Sequence, residues 1–241
     1  MDIKDHRILL IGGTSGIGKA VAQAAADEGA RVIVASRSQE AIDATLHALP
    51  DSAEGHQVDV ADQDAVLALF DRIGEFDHLV YTAGEHIFMR PVANVPPADA
   101  RGCFDTRFFG AFAAAQHALP RLRPGGSIVL TSGVIAVRPA PNTAIPAAVS
   151  GAVEALVRAL AVEAAPIRVN AVRLGPVPTD LTGANRGEIP EREKIFREVS
   201  AKLLTRRMGR AEEAAAAYLH LMKNTFTTGV ILPTDGGFVL V

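Results

Sequence analysis

The glycine-rich stretch at residues 12–18 has the composition and spacing of a loop that holds phosphate groups. It reads GGTSGIG and lies between a short apolar run at 7–11 and an alanine-rich stretch at 16–28. Glycine lets the backbone turn sharply and approach a pyrophosphate closely, and the N-terminus of a following helix offers free N–H groups. We therefore predict a dinucleotide-binding loop rather than a tight turn without a ligand. The residues expected to face the ligand are Gly12, Thr14, Ser15, Gly16, Ile17 and Gly18.

Polar residues at the end of the second apolar run bear on the choice between the two nicotinamide cofactors. The run, RVIVAS at 31–36, leads into Ser36, Arg37 and Ser38, with no carboxylate. An NAD site usually has an acidic residue here that accepts a hydrogen bond from the ribose 2′-hydroxyl. A guanidinium and hydroxyl groups instead suit a 2′-phosphate, to which they donate charge-assisted hydrogen bonds. The pattern favours NADP(H) over NAD(H); the alternative is that Arg37 is only a solvated residue at a strand end.

Strand-like and helix-like segments alternate along the chain and would position both sets of residues. Apolar runs typical of strands lie at 7–11, 31–36, 55–58, 77–81, 127–131, 167–173 and 230–233. Helical patterns separate them at 16–28, 39–49, 62–73, 146–164 and in a long stretch that ends near 119. Apolar strands that are each followed by a helix indicate a parallel sheet covered on both faces. We predict a single Rossmann-type, doubly wound α/β domain over residues 1–241, with a seven-stranded parallel sheet.

The charged stretch PEREKIFREVSAKL at 190–203 lies outside this αβ alternation. We predict a helix there and consider it a candidate lid within a substrate loop at about 181–210. A solvated surface helix is the alternative.

The composition excludes several classes of partner. Of the 241 residues, 49% are hydrophobic and 21% are charged, with a net charge of −3, so no basic surface for nucleic acid or anionic membrane is expected. Cys103 is the single cysteine, which excludes an internal disulfide and argues against a metal site. The chain has neither a signal-peptide pattern nor about 18 uninterrupted apolar residues. We expect a cytoplasmic protein that binds a small-molecule substrate, with no metal, nucleic acid or membrane partner.

Several motifs together resemble those of the short-chain dehydrogenase/reductase family. The loop has the spacing Gly-x-x-x-Gly-x-Gly, residues 80–84 read VYTAG where the family often has Asn-Asn-Ala-Gly, and DGG follows at 235–237. The stretch RVNAV at 168–172 leads into a Gly-Pro turn, with Leu174 in place of the family's proline. The resemblance implies further cofactor contacts from Asp59, Val60, Thr82, Ala83, Gly84, Gly175, Pro176, Val177 and Thr179. It also implies a homodimer or homotetramer formed through the helices at 98–119 and 147–163.

The residues that usually perform catalysis in this family are replaced. The family uses an Asn, a Ser and a Tyr, with a Lys four residues after the Tyr, for proton transfer. The aligned positions here hold Arg107, Gly133, Pro146 and Ser150. The chain's two tyrosines are Tyr81 and Tyr218, and neither is followed by a lysine at the fourth position. The family's usual proton relay is therefore not expected to operate.

Arg107 and Ser132 are the candidate catalytic residues. Arg107 shares a helix face with three small residues, Cys103, Gly110 and Ala114. Its permanent charge prevents it from acting as a general base, but it can polarise a carbonyl or bind a carboxylate or phosphate. The hydroxyl of Ser132 could orient a substrate oxygen. Alternatively, Arg107 only bridges to Asp105 or to backbone carbonyls, and Ser132 simply ends a strand.

Three further residues are weaker candidates. Arg138 and Arg173 could line the pocket, since ligands bind at the carboxyl ends of the strands in open α/β sheets. His86 follows the Thr-Ala-Gly turn and could act as an acid or a base, although a histidine in a loop is more often incidental.

The sequence leaves three functions open. The first is an atypical NADP(H)-dependent oxidoreductase, in which the cofactor supplies the hydride and the unknown carbonyl or alcohol substrate could be anionic. The second is a non-catalytic NADP(H)-binding protein, such as a sensor or an assembly partner. The third is a non-redox enzyme that catalyses isomerisation, dehydration or cyclisation.

Overall fold

Seven strands form one parallel sheet, which confirms the predicted fold class. The computed structural model describes residues 2–84, 89–179 and 189–241, with side chains from 193 onward in the last range. The strands in this part of the chain are β1 (Arg7–Ile11), β2 (Arg31–Ser36), β3 (Glu54–Gln57), β4 (Phe76–Tyr81), β5 (Leu122–Gly133), β6 (Arg168–Leu174) and β7 (Ile231–Thr234). Their order in the sheet is β3-β2-β1-β4-β5-β6-β7, as in a doubly wound Rossmann-type fold.

The strand order reverses at β1. This strand pairs in parallel with β2 on one side and with β4 on the other, so that Leu9 lies opposite both Ile33 and Leu79. The carboxyl ends of β1 and β4 therefore border a crevice, and ligands bind at such a point in open α/β sheets. The glycine-rich loop at 12–18 follows β1, and the VYTAG segment at 80–84 ends β4. Two of the predicted cofactor segments thus meet at this crevice.

Helices cover both faces of the sheet. They are α1 (Gly16–Asp27), α2 (Gln39–Leu46), α3 (Gln63–Ile73), α4 (Pro97–Phe104), α5 (Gly110–Ala118), α6 (Ala144–Glu163), α7 (Ile189–Lys202) and α8 (Ala211–Lys223). On one face, α1, α2 and α8 pack over Leu10 and Val34. On the other face, α3, α5 and α6 pack over Leu9 and Leu130. The alternation of inward and outward side chains along each strand builds two hydrophobic cores, one on each side.

Most predicted helices are confirmed, with small differences at their ends. Asp62 caps α3, since its side chain accepts hydrogen bonds from the N–H groups of Asp64 and Ala65. α2 ends at Leu46, three residues before the predicted end at 49. α7 matches the helix predicted at 190–203. Residues 181–188 of the predicted lid lie outside the described residues.

α6 is a 20-residue helix that is long and apolar enough to meet length and composition criteria for spanning a membrane. It starts at Ala144, so Pro146 lies in its first turn as predicted, where a missing N–H costs nothing. It packs against β5 and β6 and buries Val153, Val157 and Leu160 in the core. The core of the folded domain therefore buries these apolar side chains.

The long helix predicted to end near 119 is interrupted. α4 and α5 are joined by a π-helical turn, Asp105–Phe109. The N–H of Gly110 donates to the carbonyl of Asp105, five residues earlier, rather than to that of Thr106. Residue spacing alone does not indicate such a turn, in which one residue is added to the helical repeat. π turns are frequent at functional sites, and this one contains Arg107.

Candidate active site

A cavity of about 270 Å³ opens at the carboxyl ends of β1, β2, β4, β5 and β6. Arg107 and Ser132 both line it. It brings together most of the residues predicted to bind the cofactor, namely Gly12, Thr14, Ser15, Gly16, Ile17, Gly18, Ser36, Arg37, Val60, Thr82, Ala83, Gly84, Gly175, Val177 and Thr179. The remaining three, Ser38, Asp59 and Pro176, lie beside the lining rather than in it.

The glycine-rich loop forms a cradle that leaves no room for a side chain at position 12 or position 18. Gly12 has φ = 90°, and a Cβ there would lie 2.6 Å from the backbone nitrogen of Ala83. A Cβ on Gly18 would lie 2.1 Å from the carbonyl oxygen of Gly12. Ser15 precedes α1 without a side-chain hydrogen bond to it, and the first turn of α1 has no acidic residue. This open, positively polarised helix end fits the diphosphate of a dinucleotide.

The end of β2 provides hydroxyl donors beside an arginine. The Thr14 hydroxyl donates to Oγ of Ser36 at 2.9 Å, which leaves the proton of Ser36 for a ligand. Ser38 caps α2 by accepting from the N–H of Ala41, so its proton is also available. Arg37 is exposed and lines the cavity. The donor set at this end fits a phosphate on the adenosine ribose.

Arg107 lies against the backbone of Gly84, in the turn after β4. A Cβ on Gly84 would lie 2.7 Å from Cζ of Arg107 and 2.8 Å from each Nη atom. The absence of a side chain at 84 therefore allows the guanidinium to lie flat on the turn after β4. Arg107 and Arg37 supply the charge of the cavity lining, and no carboxylate lines it in the described ranges.

A buried ion pair holds Ser132. The Ser132 hydroxyl donates to Oε1 of Glu154 at 2.9 Å, and Arg173 donates two further hydrogen bonds of 2.7 Å to the same carboxylate. Burial alone would raise the pKa of Glu154, but the hydrogen bonds from Arg173 and Ser132 outweigh burial and hold that pKa below its usual value. Because the one proton of Ser132 is directed at this carboxylate, its oxygen can only accept a hydrogen bond from a ligand.

Two weaker candidates, Arg173 and Arg138, lie outside the cavity lining, so the expectation that they line the pocket is wrong. The Glu154 carboxylate engages Arg173. Arg138 donates to the carbonyl of Phe238 and lies 4.9 Å from the centroid of that ring. Both guanidinium groups thus form hydrogen bonds with partners outside the cavity lining. His86 lies outside the described residues.

Both tyrosines of the chain line the cavity. The Thr131 hydroxyl donates to the carbonyl of Tyr81 and lies 2.7 Å from Oη of Tyr218, so Tyr218 must donate to Thr131. Burial raises the pKa of Tyr218 well above its usual value, and the hydrogen bond with Thr131 offsets this only in part. The Tyr81 hydroxyl donates to the carbonyl of Thr106 at 2.5 Å. The contacts of the two tyrosine hydroxyls were not predicted from the sequence; the one available signal was that Tyr81 ends a strand.

The part of the cavity that residues of β5 and α6 line is largely apolar. Gly133 and Ser150 line it, and Oγ of Ser150 lies 3.6 Å from the point that a Cβ on Gly133 would occupy. Pro146 is buried in the first turn of α6 and lies outside the lining. Apolar side chains complete this part, namely Ile135, Val149 and Leu174. This part of the cavity can therefore hold an apolar group.

Comparisons with known proteins give a consistent assignment over almost the whole chain. A family model described as enoyl-(acyl carrier protein) reductase matches residues 12–239. The short-chain dehydrogenase/reductase ucsE of Acremonium sp. is 34% identical over an alignment of 252 positions, which covers 97% of this chain and 95% of that protein.

Two solved structures share the complete fold. One, a small-chain dehydrogenase in complex with NADPH, has a TM-score of 0.85 at 32% sequence identity and covers 99% of this chain and 100% of its own. The other, the MalC reductase/Diels-Alderase from Malbranchea aurantiaca, has a TM-score of 0.92 at 30% identity, with coverage of 99% and 98%. Both likenesses include the segments that form the cavity.

Proposed function

The chain belongs to the short-chain dehydrogenase/reductase family of oxidoreductases, and on that premise we propose that it is an atypical NADP(H)-dependent carbonyl reductase. The observation that carries the proposal is a single cavity lined by the glycine cradle, Arg37 and Arg107. The glycine cradle and the end of β2 suit the cofactor. The positions that align with the family's usual catalytic set hold Arg107, Gly133, Pro146 and Ser150 instead.

The polar groups at the end of β2 support NADP(H) over NAD(H). Arg37 and the hydroxyl protons of Ser36 and Ser38 are donors suited to a 2′-phosphate. The described lining has no carboxylate to accept from a ribose 2′-hydroxyl or to repel a phosphate. The NADPH-bound neighbour with a TM-score of 0.85 is consistent with this preference.

Arg107 would stabilise charge on the substrate. When bound, the nicotinamide would supply a hydride to a carbonyl carbon. The Arg107 guanidinium would donate hydrogen bonds to the carbonyl oxygen, on which negative charge develops. The same planar group binds a carboxylate well, so a keto acid with an apolar body is the substrate class that the cavity favours.

Proton delivery would come from solvent. The hydroxyls of Tyr81 and Tyr218 already donate to Thr106 and Thr131, and Ser132 donates to Glu154. None of the three is therefore arranged as a proton donor to the substrate. Loss of a positioned acid slows a reaction by about 10²–10⁴-fold without abolishing it, so we expect a slow reductase.

A matched pair of substrates tests this proposal. NADPH oxidation is measured with benzoylformate, an anionic keto acid, and with its neutral ethyl ester. We expect both to be reduced, benzoylformate with the higher kcat/KM. Arg107→Ala should lower kcat/KM by about 10²–10³-fold and leave NADPH affinity unchanged, while Arg101→Ala, an exposed arginine on α4, should have no effect. Absence of NADPH oxidation with either compound, or unchanged kinetics in Arg107→Ala, would overturn the proposal.

The likeness to a reductase/Diels-Alderase favours a second candidate function, a non-redox cyclisation in the same cavity. Arg107 would then polarise a carbonyl of the substrate without hydride transfer. This function predicts NADPH binding together with substrate conversion that consumes no NADPH, which mass spectrometry of the products would detect.

We also propose that copies of the chain associate through α5 and α6. Phe112 on α5 is 43% exposed and Val162 on α6 is 79% exposed. Exposed apolar side chains on helices of one face suit a contact between copies. Light scattering should give the mass of a dimer or tetramer for the wild type and a smaller mass for Val162→Glu; a wild-type monomer would contradict this proposal.

A further inference from the structure

The π turn before α5 leaves one carbonyl without its usual partner. In an α-helix the N–H of Gly110 would donate to Thr106, four residues earlier. Here that N–H donates to Asp105 instead. The Thr106 carbonyl accepts a hydrogen bond from the Tyr81 hydroxyl, with 2.5 Å between the two oxygens. A side chain at the end of β4 therefore satisfies the carbonyl that the π turn releases, which a buried carbonyl requires.

Gly110 provides the space for this hydroxyl. A Cβ on Gly110 would lie 2.4 Å from Oη of Tyr81 and 3.2 Å from Cβ of Val60. Gly110 is buried and Tyr81 is 2% exposed, so neither group can move away into solvent. A side chain at 110 would displace the Tyr81 hydroxyl from Thr106. The π turn, the glycine and the tyrosine thus depend on one another.

The same π turn determines where the side chain of Arg107 points. Arg107 follows Thr106 directly, and its guanidinium lies on Gly84, three residues after Tyr81. A π turn contains one more residue than an α-helical turn. Its conversion to an α-helical turn would therefore rotate Arg107 relative to the end of β4 and remove the guanidinium from Gly84. Tyr81 and Gly84 belong to one short segment, which contacts the helix at two adjacent points.

We infer that Tyr81 is a positioning residue, whose hydroxyl holds the π turn and so keeps the Arg107 guanidinium on Gly84 in the cavity lining. The inference rests on the proposed function in one respect, namely that Arg107 contacts the substrate. Tyr81 itself transfers no proton in this role, because its hydroxyl stays bonded to Thr106. The role differs from general structural support, since it acts through a single other residue.

A double-variant cycle tests this dependence. Tyr81→Phe should lower kcat for benzoylformate by about 10- to 100-fold, the scale of loss that a small misplacement of a catalytic group produces, with the KM for NADPH unchanged. In an Arg107→Ala background, Tyr81→Phe should cause no further loss. Full additivity of the two effects, or wild-type kcat in Tyr81→Phe, would overturn the inference. Ser127→Ala removes a comparable buried hydroxyl that contacts His78 and should leave kcat unchanged.

Crystal structures of Tyr81→Phe and Gly110→Ala separate this inference from the proposed function. In each variant, the N–H of residue 110 should donate to the carbonyl of Thr106. The Arg107 guanidinium should then lie away from Gly84. If the π turn persists in both variants, the inference fails whatever the activity. If the turn reverts but the wild type reduces no carbonyl, the positioning role stands and the reductase proposal fails. If Tyr81→Phe does not fold, Gly110→Ala still provides the test.

Discussion

Arg173 and Glu154 form a two-point ion pair in which Nε donates to Oε1 and Nη2 donates to Oε2, each at 2.7 Å. The pair joins β6 to α6 behind the cavity wall, and the two side chains are 16% and 6% exposed. Because Ser132 donates to the same carboxylate, the pair also determines which hydrogen bond Ser132 can offer a ligand. Stability and the chemistry of the site are therefore linked at this point.

Removal of one partner of the pair should be strongly destabilising. Arg173→Met leaves the Glu154 carboxylate buried without its main partner, and we expect the free energy of unfolding to fall by about 3–5 kcal/mol. Urea unfolding measures this change. The double variant Glu154→Leu with Arg173→Met should be more stable than Arg173→Met, because no buried charge remains unpaired. Arg31→Met, which breaks an exposed pair with Asp5, is the control and should change stability far less.

The same pair should make stability depend on pH. The folded pKa of Glu154 lies below its unfolded value, near 4.5. Ionised Glu154 therefore stabilises the folded state above that value, and this contribution is lost as the pH falls through the folded pKa. The free energy of unfolding, measured from pH 7 downward, should be higher for the wild type than for Glu154→Gln. This difference should shrink below about pH 4.5. A difference that stays constant across that range would contradict the prediction. Glu163→Gln, an exposed change on the same helix, should show no such trend.

Cofactor preference should depend on Arg37. Arg37→Ala removes charge-assisted hydrogen bonds to the 2′-phosphate, each of about 1.5–3 kcal/mol, so the Kd for NADPH should rise by about 10- to 100-fold. The Kd for NADH should not change, since NADH has no phosphate there. Fluorescence titration of both cofactors measures the difference. Equal affinity of the wild type for NADPH and NADH would show that the end of β2 does not select between them.

The cradle should not tolerate a methyl group at Gly18. Gly18→Ala places a Cβ 2.1 Å from the Gly12 carbonyl, a backbone contact that cannot relax without moving the loop. We expect loss of measurable NADPH binding and a lower melting temperature. Gly102→Ala is the matched control on α4, where a Cβ meets nothing within 4 Å. It should retain NADPH binding and gain up to about 1 kcal/mol of stability. NADPH binding by Gly18→Ala at wild-type affinity would exclude this loop as the diphosphate site.

Local features of the sequence were sufficient to predict the fold, the glycine-rich loop and the end of β2 that line the cavity. Continuous apolar runs predicted the strands to within one residue at each end, except β5, which extends over Leu122–Gly133 rather than 127–131. Glycine spacing after β1 predicted the cradle, because backbone close to a diphosphate cannot carry side chains. The absence of an acidic residue at the end of β2, where Arg37 lies, was likewise visible in the sequence. These features depend on residues adjacent in the chain.

The contacts around Arg107 and Ser132 join residues far apart in the chain, and the sequence did not predict them. Arg107 and Ser132 were identified by type and position, but the partners of Ser132 and the π turn around Arg107 were not. Ser132 meets Glu154 across 22 positions, and Tyr81 meets Thr106 across 25. Such pairs form only when helices dock on the finished sheet at a definite angle and depth. The amino-acid order alone thus determined a doubly wound domain with a glycine-rich loop after β1, while packing of α5 and α6 against β4, β5 and β6 decided which hydroxyls and charges line the cavity.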